Sequence, residues 1–400
     1  MTEREDLLQA LQERLQRVTA GRSLSPVLEK AAVAQAEQLV ATLRGDATDL
    51  QVMHLLGWLN WYRYLALPKG RDRAALEASI DLFTPCFMNG IEAFAPRFRH
   101  GSELLPEPLL PILAEQAVPT ATELLGWVRG TADPEMLSAT IQLWRRILSA
   151  TPADHSNRAV RVSNLGIALQ TRFECTGAIT DLDEAIQYLQ QAVRSTPVDH
   201  PVRAMYLFNL GTMLQTRFER TGAMTDLDEA IRRLQQAEQA IPADHPDRAM
   251  YLHALGSLLQ TRFERTEAMT DLDEAIRWGR QAVQTAPADH PARAAILNDL
   301  GIALRYRFDR TGVMADLDEV IRQLRQAVRT IPADHPSSAM YLSNLGGALQ
   351  SRFERTGTTA DLDEAIQLLQ QAVRITAADH PNRRIYLNNL DTVLQIRREI

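Results

Sequence analysis

Four hundred residues, 45% of them hydrophobic and 23% charged, can bury a sizeable core. They would fill two or three ordinary domains unless the chain is a repeat array. A net charge of −7 gives no general attraction to nucleic acid or to an anionic membrane surface.

The chain opens with MTEREDLLQALQERL, which is charged and amphipathic and lacks the apolar centre of a signal peptide. No apolar run approaches the length that crosses a bilayer. Cys86 and Cys175 show no metal-ligand spacing and read as inert thiols of a reducing compartment. The expected location is the cytoplasm, with no membrane, cofactor or metal.

Residues 3–20 and 24–44 read as two amphipathic helices. DLQVMHLLGWLNWYRYLAL follows as a longer helix with Leu56-Gly57 at its centre, and RAALEASIDLF is its partner. Pro85, Pro96, Pro106, Pro108 and Pro111 predict an irregular stretch over 85–111. PEMLSATIQLWRRILSATPADH then reads as a helix with Leu137, Ile141 and Trp144 on its core stripe and a weak start signal. Trp58, Trp61, Trp127 and Trp144 either fill an N-terminal cap or line a ligand pocket.

From residue 156 the chain repeats itself. DLDEAI begins at Asp181, Asp226, Asp271 and Asp361, DLDEVI begins at Asp316, and every step is a multiple of 45 residues. Asp-His pairs at Asp154-His155, Asp199-His200, Asp244-His245, Asp289-His290, Asp334-His335 and Asp379-His380 keep the same step. Such constancy belongs to stacked repeats. The units are 156–200, 201–245, 246–290, 291–335 and 336–380, with a lone first-type helix at 381–400. This divides the chain into a helical region at 1–150 and an array at 151–400.

Each unit holds two helices. Leu207, Leu210, Leu214 and Phe218 step by three, four and four along the first. Leu227, Ile231, Leu234 and Ala237 do so along the second. Gly222 suits the left-handed residue that ends a helix, and Asp226 with Glu229 reads as a capping box for the next. Pro242 stops that helix and Pro246 suits the first turn of the following one. Asp244 is expected to bond to backbone amides at this corner.

Repeated carboxylates and imidazoles suggest chemistry, but five copies spread along a stack cannot converge on one substrate atom. Stacked helices lie about 8–10 Å apart, whereas ligands sit about 2 Å from a shared ion. The repeated polar residues therefore read as construction, with no catalytic and no metal site. Arg172, Arg217, Arg262, Arg307 and Arg352, each followed by Phe, are expected to pair with acids of the neighbouring FERTG and DLDE segments. The alternative is a row that meets phosphates or an acidic peptide.

The spacing of Leu207, Leu210-Gly211, Leu214, Ala230, Leu234, Ala237 and Pro242 resembles the tetratricopeptide repeat, stretched from the usual 34 residues to 45. The fuller wording, RFERTG to DLDEAI to DHP, resembles long repeats found with CHAT-type caspase-like peptidase domains. No downstream His and Cys elements of such a peptidase are seen, so peptidase activity does not carry over. The resemblance implies an all-α, tetratricopeptide-like α-solenoid, a right-handed superhelix of antiparallel helix pairs. Gly211 and Ala230 would then be small because the paired helices approach closely there.

The resemblance also implies a concave groove lined by first helices, receiving a protein or peptide. Its positions are Ser163, Asn164, Ile167, Gln170; Phe208, Asn209, Thr212, Gln215; His253, Ala254, Ser257, Gln260; Asn298, Asp299, Ile302, Arg305; and Ser343, Asn344, Gly347, Gln350. Asn and Gln can pair with an extended backbone, or Asn164, Asn209 and Asn344 can link neighbouring first helices. The basic residues that clamp a terminal carboxylate are missing. Departures from the shared wording gather at His253, Asp299, Arg305 and Tyr306, which makes them the candidate hot spot. Gly279 replaces a core leucine beside Trp278; local repacking is expected there, the alternative being that Trp278 folds over the gap.

Few lysines and many acids argue against RNA. The last helix keeps Leu387, Leu390 and Leu394 but has Asp391 in place of the glycine, which makes it a candidate cap, truncation edge or homodimer surface. The expected function is a non-catalytic scaffold or sensor. The alternatives are the sensor part of a CHAT-type system, or an enzyme or small-molecule binder in the Trp-rich region.

Overall fold

The computed structural model describes residues 3–21, 23–42, 49–90, 99, 104–332 and 334–400. Among them there are eighteen α-helices and no strand. The chain divides into two compact units, Met1–Thr196 and Pro197–Ile400.

The first unit contains α1 (Glu3–Gly21), α2 (Ser25–Leu28), α3 (Lys30–Thr42), α4 (Leu50–Ala66), α5 (Arg73–Asn89), α6 (Leu110–Thr131), α7 (Pro134–Ala150), α8 (Arg158–Thr176) and α9 (Ile179–Ser195). The helix expected over 24–44 is split, because Glu29 is extended between α2 and α3; residues 43 and 44 lie outside the described residues. α4 and α5 form the expected hairpin, and a Cβ on Gly57 would come within 2.6 Å of the Phe83 ring. The prolines break less than their number suggests. Pro85 lies inside α5, and Pro111 opens α6, where a missing N–H costs nothing. Residues 86–89 of the expected irregular stretch are helical, a 3-10 turn spans Glu107–Leu109, and residues 91–98 and 100–103 lie outside the described residues.

Trp58, Trp61 and Trp144 are buried with Leu137 and Ile141, as the packing reading requires. Trp127 departs from it, being 50% exposed on α6. Cys86 is buried beneath α4, and burial pushes its thiol up to about 12, so it is inert at neutral pH.

The second unit contains α10 (Arg203–Thr221), α11 (Met224–Ala240), α12 (Arg248–Thr266), α13 (Met269–Thr285), α14 (Arg293–Thr311), α15 (Met314–Thr330), α16 (Ser338–Thr356), α17 (Thr359–Ile375) and α18 (Arg383–Glu399). Helices pair as α10 with α11, α12 with α13, α14 with α15 and α16 with α17, and each pair packs on the next. This is an all-α, tetratricopeptide-like α-solenoid. The apolar stripes make its core: Leu207, Leu210, Leu214 and Phe218 on the first helix, Leu227, Ile231, Leu234 and Ala237 on the second, are all buried. A Cβ on Gly211 would lie 3.0 Å from Leu234 and 3.4 Å from the Ala230 carbonyl, so the glycine sets how closely the pair approaches.

Three polar devices close the corners, and two differ from expectation. First, Asp226 does not cap α11. Ala223 holds the N-cap position with no side-chain bond, and Asp226 lies inside the first turn. The turn amide is taken by Thr221, whose hydroxyl accepts from the Ala223 N–H while donating to the Arg217 carbonyl at 2.8 Å. Asp226 is thereby free to accept two bonds from Arg217, at 2.9 and 2.7 Å. True capping aspartates are found in the first unit, where Asp133 accepts from the amides of Glu135 and Met136, so the weak start expected for α7 is a strong one.

Second, the corner before each first helix is held by histidine and not by Asp244 and its counterparts. The Nδ1 of His245 accepts the Asp247 N–H at 3.1 Å, and His155, His200, His290, His335 and His380 repeat the bond. Third, Arg248 donates to the Ile241 carbonyl and satisfies the end of the preceding helix. Ser338 does this work where arginine is replaced, donating to the Pro332 carbonyl at 2.9 Å.

The arginine ladder is structural, as expected. Arg172, Arg217, Arg262, Arg307 and Arg352 each grip the Asp nine residues later with two bonds. Arg262, Arg307 and Arg352 also reach Asp228, Asp273 and Asp318 of the preceding pair at 3.0 to 3.2 Å. Arg397 of α18 continues the row to Asp363. At Gly279 it is Leu300 that closes in, 3.2 Å from where a Cβ would stand, while Trp278 packs against the neighbouring cluster that holds Leu252, Ala282 and Ile296.

Candidate functional site

Within the second unit, the groove positions fall on the first-type helices α10, α12, α14 and α16. The structure sorts the named residues into three sets. Phe208 stacks on Tyr251 with ring centroids 4.5 Å apart, which joins α10 to α12. Gln215 and Gln260 donate to Glu219 and Glu264 one turn later, at 2.9 and 3.1 Å. Asn209 is half-buried on the same helix as Phe208.

His253, Asn298 and Asp299 form a network across three first helices. His253 Nε2 donates to Asp299 at 2.7 Å, and Asn298 Nδ2 donates to the other Asp299 oxygen at 3.1 Å. Asn344 completes it by donating to Asn298 Oδ1 at 2.8 Å. Asn298 is 2% exposed, so its amide is satisfied inside the stack and is unavailable to a ligand. Asn344 thus takes the linking role, and Asn389 on α18 repeats it by donating to Ser343 Oγ at 3.1 Å.

Arg305 and Tyr306 belong to the third set. They border a cleft of about 470 Å³ between α14, α16 and α18, whose other walls include Asn344, Gly347, Gln350 and Glu354. Gly347 creates the room. Units one and four carry Ile167 and Ile302 at this position, whereas the nearest atom to a Cβ on Gly347 is Arg305 Nη1 at 4.0 Å. Arg305 is steadied by Asp309, which accepts from its Nε at 3.1 Å and leaves the terminal nitrogens over the cleft. Tyr306 packs on Phe263, with ring centroids 5.7 Å apart. Burial, and then the nearby Glu264 carboxylate, raise its phenol above the ordinary tyrosine range.

The cleft also uses residues the sequence reading passed over: Asp309, Ser351, Glu354 and Asn389. A signal for two of them was present, since an acid follows each groove glutamine or Arg305 by four residues, which on a helix is the same face. Nothing in the arrangement pairs a nucleophile with a base. Among the described residues no group of three His, Cys, Asp or Glu could hold a metal ion. No described helix is long and apolar enough to cross a membrane.

No curated protein matches the chain in sequence. Among solved structures, the chain is similar to the nearly identical TPR-like repeats of a kinesin light chain candidate from Podosopora anserina. That match has 22% identity and a TM-score of 0.41, over 56% of this chain and 96% of that one. It is similar to BtubC (BKLC) from P. vanneervenii at 15% identity and TM-score 0.45, over 63% and 94%. It is also similar to the nuclear import adaptor Nro1 of S. pombe at 15% identity and TM-score 0.43, over 70% and 99%. The tetratricopeptide repeat family profile matches residues 203–247, 248–292 and 338–382. These three stretches of the chain are tetratricopeptide repeats.

Proposed function

We propose that the chain is a non-catalytic interaction scaffold whose second unit receives an extended peptide segment in the cleft between α14 and α16. The observation that carries this reading is Gly347 beneath Arg305: the side chain that other units carry as Ile, Thr or Ser is missing, which opens the wall, and a cation overlooks the opening. Gln350, Ser351 and Asn389 supply donors and acceptors for peptide N–H and C=O groups. Arg305 and Tyr306 provide the large side chains that dominate recognition. His253, Asn298 and Asp299 hold the walls and do not touch the ligand. An array serving a separate CHAT-type effector is a narrower version of the same function, resting on the wording of the repeat alone.

A random dodecapeptide array probed with the purified protein and with Gly347→Leu tests this. Leucine fits the open space at 347, so melting stays unchanged while the native chain's peptide signals disappear. Equal signals from both proteins, or none from the native chain, would refute groove binding.

A further inference from the structure

The charges along the groove point to the chemistry of its occupant. Glu219, Glu264, Asp309, Glu354 and Glu399 stand at the same turn of α10, α12, α14, α16 and α18. Among the described residues, only Asp309 of these five makes an ion pair, with Arg305. Glu219, Glu354 and Glu399 each accept an amide of the glutamine four residues earlier. Glu264 accepts from Gln260.

Neighbouring cations are committed elsewhere. Arg262, Arg307 and Arg352 are held by aspartates of the ladder. Arg265, Arg310 and Arg355 lie over the rings of Phe218, Phe263 and Phe308 of the preceding pairs. The cleft itself is lined by one cation, Arg305, already matched by Asp309, and by the unmatched Glu354. Its field is therefore negative, with carboxylates repeating once per helix pair.

We infer that the occupant is an extended peptide carrying a basic side chain at every third residue. Successive first helices lie about 8–10 Å apart. A polyproline II strand has three residues per turn and rises about 3.1 Å per residue, which returns a side chain to the same face every ~9 Å. Lysines at that interval meet Glu264, Asp309 (which Arg305 shares), Glu354 and Glu399 in turn, and the peptide backbone passes over Gly347. This rests on the groove reading, and the two can fail separately.

The test uses labelled dodecapeptides (Lys-Ala-Pro)4, (Gln-Ala-Pro)4 and (Glu-Ala-Pro)4, followed by fluorescence anisotropy at low salt. The native chain binds the lysine peptide at least about tenfold more tightly than the glutamate peptide. Glu264→Gln/Glu354→Gln weakens the lysine peptide about tenfold, Gly347→Leu abolishes its binding, and both variants melt as the native chain does. Equal affinity for all three peptides, lost in Gly347→Leu, overturns the charge inference and leaves the groove reading standing. Lysine-peptide binding indifferent to either variant places it elsewhere and overturns the inference. No binding of any peptide by the native chain overturns both.

Discussion

Arg262 grips Asp271 across the hairpin turn with two hydrogen bonds, Nε to one carboxylate oxygen at 2.8 Å and Nη2 to the other at 2.7 Å. Its remaining nitrogen reaches Asp228 in the preceding pair at 3.0 Å. One guanidinium thus ties two helices of its own hairpin and a third from the neighbour, and its planar fork suits that geometry where an ammonium does not. Asp271 is nearly buried, so losing it strands a charge. Asp271→Ala should cost about 2–4 kcal/mol in urea unfolding. Arg262→Lys should retain less than half of the pair's contribution. A loss below ~0.5 kcal/mol for Asp271→Ala would make the ladder incidental.

His245 tests the corner device. Removing the acceptor in His245→Ala should cost about 1 kcal/mol, as for other lost caps. In His245→Asn the amide oxygen can stand where Nδ1 stood, so most stability should return. If Asn fares no better than Ala, the imidazole acts by packing and the hydrogen bond to the Asp247 amide is secondary.

Tyr206 carries a cost the fold tolerates. Its ring is buried and its hydroxyl has no partner among the described residues. Tyr206→Phe should therefore stabilise the chain by about 1 kcal/mol at neutral pH. Burial also pushes its phenol up to about 12, against about 10 in the unfolded chain. The folded state holds this proton more tightly, so the associated stability is intact below pH ~10 and is lost as pH rises through about 12. The Phe variant should lose less stability over that window. An unchanged alkaline profile would contradict the assignment.

Left-handed turn residues give a further test. Gly222, Gly312 and Gly357 sit at φ near 70°, and Glu267 occupies the same place at φ 58°. Gly312→Ala should cost about 1 kcal/mol. Glu267→Gly should raise the melting temperature although it removes the exposed contact with Arg310. A fall on Glu267→Gly would mean that contact outweighs the backbone strain.

Much of the fold was legible because a fixed period exposes burial directly: Leu207, Leu210, Leu214 and Phe218 could share only one face. Gly211 and Gly222 were legible because close approach and positive φ leave few alternatives. The role of Asp226 was not. An aspartate in the first turn can accept from its own helix or from an arginine nine residues earlier. The angle between α10 and α11 and the Thr221 hydroxyl decide between them. The same limit hid the histidine corner, where two adjacent polar residues compete for one amide.

The site was readable only in part. Arg305 and Tyr306 stood out as departures from the shared wording, and both border the cleft. His253 and Asp299 stood out equally, yet they bond to each other, and Asp299 to Asn298, which holds Asn344 inside the stack. Substitution alone does not say whether a new polar group faces solvent or a neighbour 46 residues away. Gly347 was among the groove positions, but its meaning depends on which side chain lies opposite.

The most direct test is hydrogen–deuterium exchange of the whole chain with and without saturating (Lys-Ala-Pro)4. If the Asp-His corners and the arginine ladder serve construction and the face of the first helices serves recognition, new protection will be confined to α12, α14, α16 and α18 around residues 260–264, 301–309, 343–354 and 389–399. Protection centred on the Asp-His corners or on α4 to α7 would contradict that division of labour.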